Sequence, residues 1–185
     1  MSSEQIAAAE ARMAKAIEAM ERDFQGIRTG RASTSIVERL QVEYYGTLTP
    51  LNQLAGISVP EAHSIVIQPW DRSVLAAIER AILKSDIGLT PNVDGTVVRL
   101  NIPALTEDRR KELVRQVHKR MEDARVEIRN QRREAGDAIK HEERDGEIGA
   151  DEAHRQHEQL QRVTDRWIEE VDRAGKAKEQ EVLEV

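Results

Sequence analysis

The stretch LVRQVHKRMEDARVEIRNQRREAGDAI, residues 113–139, decides the fold of this chain. Its apolar residues recur at steps of three, four and seven, which is the period of one side of an α-helix. Thr106 precedes the stretch as a candidate N-cap, and the acidic Glu107 and Asp108 follow it in the first turn. The pattern predicts one helix of about 35 residues. Its narrow apolar stripe consists of Leu113, Val117, Met121, Ala124, Ile128, Ala135 and Ile139.

Two further segments carry a stripe of the same kind. Near the N-terminus, a heptad seam predicts a helix that ends near Gly30; its members are Ile6, Met13, Ile17, Met20, Phe24 and Ile27. After a break at residues 145–149, a third helix is predicted to turn Leu160, Val163, Trp167, Val171, Ala174 and Val182 inward. Three long helices with one stripe each bury these stripes best against one another, which predicts a three-helix bundle.

The period changes between the first and second helices. Short runs of alternating apolar residues predict strands, around Val42, Ile57, Ile65 and Val98, and helical spacing returns near Ile78. All five prolines of the chain lie in this middle segment, as expected for strands bounded by turns. The sequence therefore predicts an α+β protein with a small β/α/β sandwich domain, residues 31–104, inserted into a bundle formed by residues 1–30 and 105–185.

Two chain crossings would join these domains, and paired short crossings favour a hinge. The predicted hinge residues are Gly30, Arg31, Ala32, Pro103, Ala104 and Leu105.

Composition excludes several classes of protein. The chain has 185 residues, a formal net charge of -6 and no cysteine, which removes disulfides, thiolate metal sites and thiol catalysis. The N-terminus lacks the features of a secretion signal, and no stretch approaches the roughly 18 apolar residues of a membrane span. We therefore expect a soluble, cytoplasmic protein that does not contact membranes.

Four arginines of the long helix stand at positions i, i+4, i+7 and i+8, namely Arg125, Arg129, Arg132 and Arg133. On a helix they gather within about a third of the circumference. Forked, permanently charged guanidinium groups suit phosphate oxygens. Because the whole chain is acidic, this arginine row is not a by-product of basic composition. Arg28 and Arg31, near the predicted hinge, are candidates to extend it.

The alternative is a solvated helix surface in which Glu122 and Glu127 neutralise Arg125 or Arg129. The distribution of charge along the chain favours the interpretation that the arginine row binds an anionic partner. Residues 109–144 hold 12 Lys and Arg against 8 Asp and Glu, whereas residues 145–185 hold 6 against 12.

No motif marks a catalytic, metal or cofactor site. Gly26 and Gly30 lack the pattern of a phosphate-binding loop, and a helix end explains them better. His154 and His157 have metal-ligand spacing beside Glu158, but no third ligand is marked, which favours surface histidines. We therefore expect no catalytic residue, no metal and no cofactor.

Several short runs, taken together and in order, resemble the ribosome recycling factor family of bacteria over the whole chain. They are residues 27–33 (IRTGRAS), 42–46 (VEYYG), 49–51 (TPL), 71–73 (DRS), 85–89 (SDIGL), 105–113 (LTEDRRKEL) and 125–133 (RVEIRNQRR). The family usually has an aliphatic residue where this chain has Gln131.

The resemblance implies an L-shaped protein and a non-enzymatic translation factor. It implies binding to the post-termination ribosome in the intersubunit space, with the bundle against large-subunit ribosomal RNA. Elongation factor G with GTP would then drive dissociation into subunits, and the factor would act as a monomer. The arginines carried over by the resemblance are Arg110, Arg129, Arg132 and Arg133. Arg110 lies 22 residues before Arg132, about 40° around the helix, and so extends the row.

A rival hypothesis is a helical adaptor or scaffold whose basic surface binds an acidic protein. Sedimentation with ribosomes at low and moderate salt would discriminate the two.

Overall fold

The computed structural model describes residues 4–184 and contains four α-helices. These are α1 (Glu4–Gln25), α2 (Leu75–Lys84), α3 (Glu107–Arg144) and α4 (Ala150–Leu183). The chain forms two compact units: a bundle unit of residues 4–28 and Glu107–Glu184, and an inserted unit, Thr29–Thr106. The mixed α+β class predicted from the sequence is confirmed.

The bundle unit is built from the three long helices. Helix α3 has 38 residues, which corresponds to a length of about 57 Å at 1.5 Å per residue. All seven residues of its predicted stripe are buried, and six of them, all except Leu113, pack with residues of α1 and α4 in one apolar cluster. In α4, Trp167 and Ala174 are only partly buried, while Gln156, Thr164 and Gly175 are buried although the apolar pattern did not mark them.

Gly175 of α4 packs directly against Met121 of α3. A Cβ atom at this position would lie 2.2 Å from Sδ and 2.7 Å from Cγ of Met121. Met121 is itself buried, so that it has little room to move aside. The glycine thus leaves room for the Met121 side chain between α3 and α4.

Helix α1 ends earlier than the apolar seam predicts. The seam extends to Ile27 and the prediction placed the helix end near Gly30, but the last helical residue is Gln25. The N–H groups of Gly26 and Ile27 bond to Asp23 and Phe24 three residues back, so that the chain tightens and leaves the helix. Ile27 still packs against the bundle core. Apolar packing therefore continues past the end of the helix.

The inserted unit contains two antiparallel sheets and α2. Strands β1 (Gln41–Tyr44) and β2 (Thr47–Pro50) form a hairpin. The second sheet has the order β3-β4-β6-β5, with β3 (Ala55–Glu61), β4 (Ser64–Pro69), β5 (Pro91–Asp94) and β6 (Val97–Asn101). Helix α2 contacts strands of both sheets. The core combines inward-facing strand residues, Ile78 and Ile82 of α2, and side chains from the connecting segments, namely Val37, Leu51, Leu54 and Val74.

A short turn, Arg72–Val74, leads into α2 and is capped by Asp71. The Asp71 carboxylate accepts a hydrogen bond from the backbone N–H of Ser73 at 2.9 Å. This bond lowers the pKa of Asp71. The cap satisfies one of the free N–H groups at the start of the helical segment.

Gln131 is the polar residue that fits the bundle least well. Its amide oxygen is buried and has no hydrogen-bond partner among residues 4–184, although Arg12 and Glu134 lie beside it around a cavity of about 50 Å³. An unsatisfied buried acceptor destabilises a fold because it has lost its bond to water.

We expect Gln131→Leu to raise the free energy of unfolding by about 1–2 kcal/mol, since it removes that acceptor and adds apolar volume. Denaturant unfolding followed by circular dichroism measures the change. Gln116→Leu, at an exposed position of the same helix, is the matched control and should alter stability by less than about 0.5 kcal/mol. Equal effects of the two substitutions would show that the Gln131 oxygen carries no penalty.

Candidate nucleic-acid interface

The arginine row of α3 divides into two pairs that differ in their surroundings. Arg125 and Arg129 are bound by carboxylates of the bundle unit. Arg132 and Arg133 are exposed, and their side chains make no ion pair or hydrogen bond within residues 4–184. Sequence spacing placed all four on one side of the helix, but only the second pair has all of its guanidinium donors available for a ligand.

Arg125 is the more constrained member of the first pair. Its Nη2 lies 2.5 Å and its Nε 3.2 Å from Oδ1 of Asp172 on α4, and its Nη1 donates to Glu122 at 3.1 Å. Only 23% of its side chain is exposed. The Asp172 hydrogen bond raises the pKa of Arg125 further. This guanidinium therefore holds α3 to α4 and has few donors left.

Arg129 shares the same carboxylate. Its Nη1 lies 3.0 Å from Glu122, and half of its side chain is exposed. Hydrogen bonds from Arg125 and then from Arg129 lower the pKa of Glu122. The predicted neutralisation by Glu122 is thus present. Glu127 instead approaches Arg120, at 4.0 Å. Arg129 keeps free donors on its exposed side and can contact a second anion while it remains paired.

Three further arginines complete the predicted set. Arg110 is half-buried near the start of α3, about 33 Å along the helix from Arg132. Arg28 is exposed at the end of the first segment of the bundle unit, and Arg31 is exposed in the inserted unit.

Arg132 and Arg133 border a groove between α3 and α4 with a volume of about 290 Å³. Its lining residues are Arg132, Arg133, Gly136, Asp137, Lys140, His157, Leu160 and Gln161. The apolar periodicity that defined the helices gave no sign of this groove, because its residues come from two helices and include a glycine. His157, which the sequence suggested only as half of a weak metal pair, is one of its walls.

The metal interpretation finds no support in the part of the chain that the structure describes. No group of three or more potential ligands is present within residues 4–184. His154 pairs with Glu158 at 3.4 Å, while His157 faces the groove. Across the same residues, no helix has both the length and the apolar character that a bilayer crossing requires.

A bundle with an exposed arginine pair is an arrangement suited to binding a polyanion. The class that fold and surface define is that of an α+β binding protein. Comparison with known proteins then identifies the family: residues 20–183 match the family model described as ribosome recycling factor. The chain belongs to the ribosome recycling factor family, whose members are translation factors and not enzymes.

Individual relatives align with this chain over their full length. The chain is 52% identical to the ribosome-recycling factor of Desulforamulus reducens and 52% identical to that of Halalkalibacterium halodurans, in both cases over 100% of each chain. A solution structure of a ribosome recycling factor is similar with a TM-score of 0.74, at 47% identity and complete coverage of both chains.

A second structural relative carries functional information. It belongs to models of the T. thermophilus ribosome recycling factor and the E. coli elongation factor G bound to the E. coli post-termination complex. Similarity to this chain has a TM-score of 0.61 at 43% identity, and it covers 99% of this chain and 100% of the relative.

Proposed function

We propose that this protein binds the post-termination ribosome and, with elongation factor G and GTP, promotes its dissociation into subunits. Arg132 and Arg133 of α3 contact phosphates of large-subunit ribosomal RNA. We assign the contact to these two residues because their guanidinium groups are exposed and unpaired within residues 4–184. Arg125, in contrast, is held by Asp172. The post-termination ribosome and elongation factor G are proposed as partners because the related T. thermophilus factor belongs to models of that complex.

The length and packing of α3 fit this function. A helix of 38 residues held on one side by two others keeps its arginines at fixed positions along the RNA. A stiff element transmits displacement to its far end, whereas a soft one absorbs it. Arg110 and Arg129 are proposed as further RNA contacts of α3, and Arg28, Arg31 and Arg125 as additional candidates.

We further propose that the inserted unit moves as a lever about the residues that join it to the bundle unit. Gly30 adopts a φ of +73°, and its carbonyl oxygen lies 2.8 Å from Nδ1 of His63. A Cβ atom at Gly30 would be 3.1 Å from Cγ of Leu105. Such contacts tie the two crossings together inside the inserted unit.

The flexible bonds then lie at the borders of that unit, at residues 28–29 and 106–107. The predicted hinge residues Gly30, Arg31, Ala32, Pro103, Ala104 and Leu105 form the base on which the unit turns. Energy for the movement comes from nucleotide hydrolysis by elongation factor G. The factor works as a monomer in the cytoplasm, where its ribosomal partner is found.

Light scattering by bacterial 70S ribosomes tests the function directly. Addition of this protein with elongation factor G and GTP to post-termination complexes should lower the scattering as subunits separate. Omission of GTP, or of either protein, is the control and should leave the scattering unchanged. An adaptor that binds an acidic protein would produce no loss of scattering in any of these mixtures, and such a result would overturn the proposed function.

A further inference from the structure

The groove between α3 and α4 is a site that the arginine row alone does not describe. One wall consists of Arg132, Arg133 and Lys140 from α3, and the opposite wall consists of His157 and Gln161 from α4. Gly136 and Leu160 lie between them. A water molecule occupies about 30 Å³ in the liquid. The volume of about 290 Å³ therefore accommodates a phosphodiester group together with several waters.

Gly136 keeps the groove open. A Cβ atom built on it would lie 3.7 Å from Cε1 of His157 and 3.9 Å from Cδ2 of Leu160. These are ordinary contact distances, so that a methyl group would just touch the opposite helix and any longer side chain would occupy the groove. Glycine is unfavourable inside a helix. We attribute the presence of this glycine inside α3 to the groove, which a larger side chain would fill.

The charge of the lining suits an anion. Three cationic side chains face one carboxylate, that of Asp137, which approaches only Lys140, at 3.8 Å. Arg132 and Arg133 have no partner among the described residues. Two turns earlier on α3, Arg125 is held by Glu122 and by Asp172 of α4. The groove therefore has two guanidinium groups without carboxylate partners among the described residues.

Helix α4 adds further N–H donors. The ring of His157 lies beside Gly136, and one amide N–H of Gln161 is used on Asp165 at 2.7 Å, which leaves its second N–H free. N–H donors of α4 and guanidinium groups of α3 can together reach a tetrahedral anion from several directions, as a single helix surface cannot.

We infer that the groove is a phosphate-binding cleft for the ribosomal RNA backbone, in which His157 and Gln161 of α4 complete the contacts begun by Arg132 and Arg133. This inference rests on the proposed function and extends it from one helix to two. The occupant is a phosphodiester of RNA, because a ligand that spans both walls must present several acceptor oxygens around one centre.

Binding to purified large ribosomal subunits, measured by sedimentation, tests the cleft. Gly136→Leu fills the groove without changing charge and should weaken binding about 10-fold, the scale of one lost charged hydrogen bond. Gln116→Leu is the matched control. It makes an uncharged substitution at an exposed position 20 residues earlier, about 160° around the helix, and should bind like the unmodified chain.

His157 provides a second and independent test. His157→Leu removes the ring donor and should weaken binding about 3- to 10-fold, whereas His157→Gln keeps an N–H donor and should retain most of the affinity. Melting temperatures within a few degrees of the unmodified chain, by circular dichroism, establish that each variant is folded. Wild-type affinity in both Gly136→Leu and His157→Leu would overturn the assignment of the groove as a phosphate-binding cleft. If Arg132→Ala binds more weakly in the same experiment, the proposed function remains intact.

The nature of the occupant is tested by crosslinking. A photoreactive amino acid at Gln161, irradiated on the large subunit, should yield a product that ribonuclease shortens. A crosslink to ribosomal protein alone would contradict an RNA occupant. If the unmodified chain does not sediment with ribosomes, the proposed function fails, and the cleft fails with it.

Discussion

Replacement of Arg132 by alanine is expected to weaken binding to ribosomes by about 1.5–3 kcal/mol, roughly 10- to 150-fold, the scale of a lost charge-assisted hydrogen bond. Thermal stability should hardly change, because the Arg132 side chain is exposed and makes no ion pair within residues 4–184. Filter binding or sedimentation with ribosomes gives the affinity, and circular dichroism gives the melting temperature. Arg132→Lys should recover only part of the loss, since an ammonium group lacks the planar fork of donors.

Arg125→Ala is the matched comparison. We expect it to lower the stability of the bundle unit more, and ribosome affinity less, than Arg132→Ala does. It leaves the carboxylates of Asp172 and Glu122 without their shared partner, so that the bundle unit should lose about 1 kcal/mol of stability, a value reduced by the solvent exposure of the carboxylates. Ribosome affinity should fall less than in Arg132→Ala. If Arg125→Ala weakens binding more than Arg132→Ala without lowering the melting temperature, the division of the row into structural and binding arginines is wrong.

Removal of the inserted unit should abolish subunit splitting while ribosome binding persists. In this variant a short Gly/Ser linker replaces residues 29–106. The two apolar clusters are made of different residues, one from the three long helices and one from the inserted unit, so that the bundle unit keeps its core. We expect cooperative unfolding, high helix content and sedimentation with ribosomes. Light scattering with elongation factor G and GTP should show no dissociation, because the lever is missing.

The same variant carrying Arg132→Ala is its control, and it should no longer sediment with ribosomes. Loss of cooperative unfolding after removal of residues 29–106 would show that the units depend on each other for stability. Splitting at the rate of the full chain would show that the inserted unit is not the lever.

Long periodic patterns made most of the fold predictable. The stripe of α3 repeats over more than seven turns, and the break at residues 145–149 separates it cleanly from α4. Two strands carried no comparable signal. Thr47–Pro50 is exposed or half-buried throughout, and Pro91–Asp94 buries only its first residue. Both pair with a stronger neighbouring strand, and such pairing is a tertiary property that local alternation does not reveal.

The candidate site was predictable only in part, because some of its contacts are formed between two helices. Helical spacing is sufficient to place four arginines on one side of α3. It cannot show that Asp172, 47 residues after Arg125, neutralises that residue across the interface of α3 and α4. Gly136 and His157 are likewise brought together by helix packing. The sequence thus predicted the row of arginines, whereas the identity of its free members and the groove beside them required the packed bundle.

The dependence of ribosome affinity on salt tests the central claim most directly, because it counts the phosphates that the protein neutralises. Dissociation constants for the unmodified chain, Arg132→Ala and Arg125→Ala would be measured at several concentrations of monovalent salt with magnesium held constant. We expect the slope of log affinity against log salt to become shallower by about one unit in Arg132→Ala and by clearly less in Arg125→Ala. A slope for Arg132→Ala equal to that of the unmodified chain would contradict the claim that this residue binds ribosomal RNA through its phosphates.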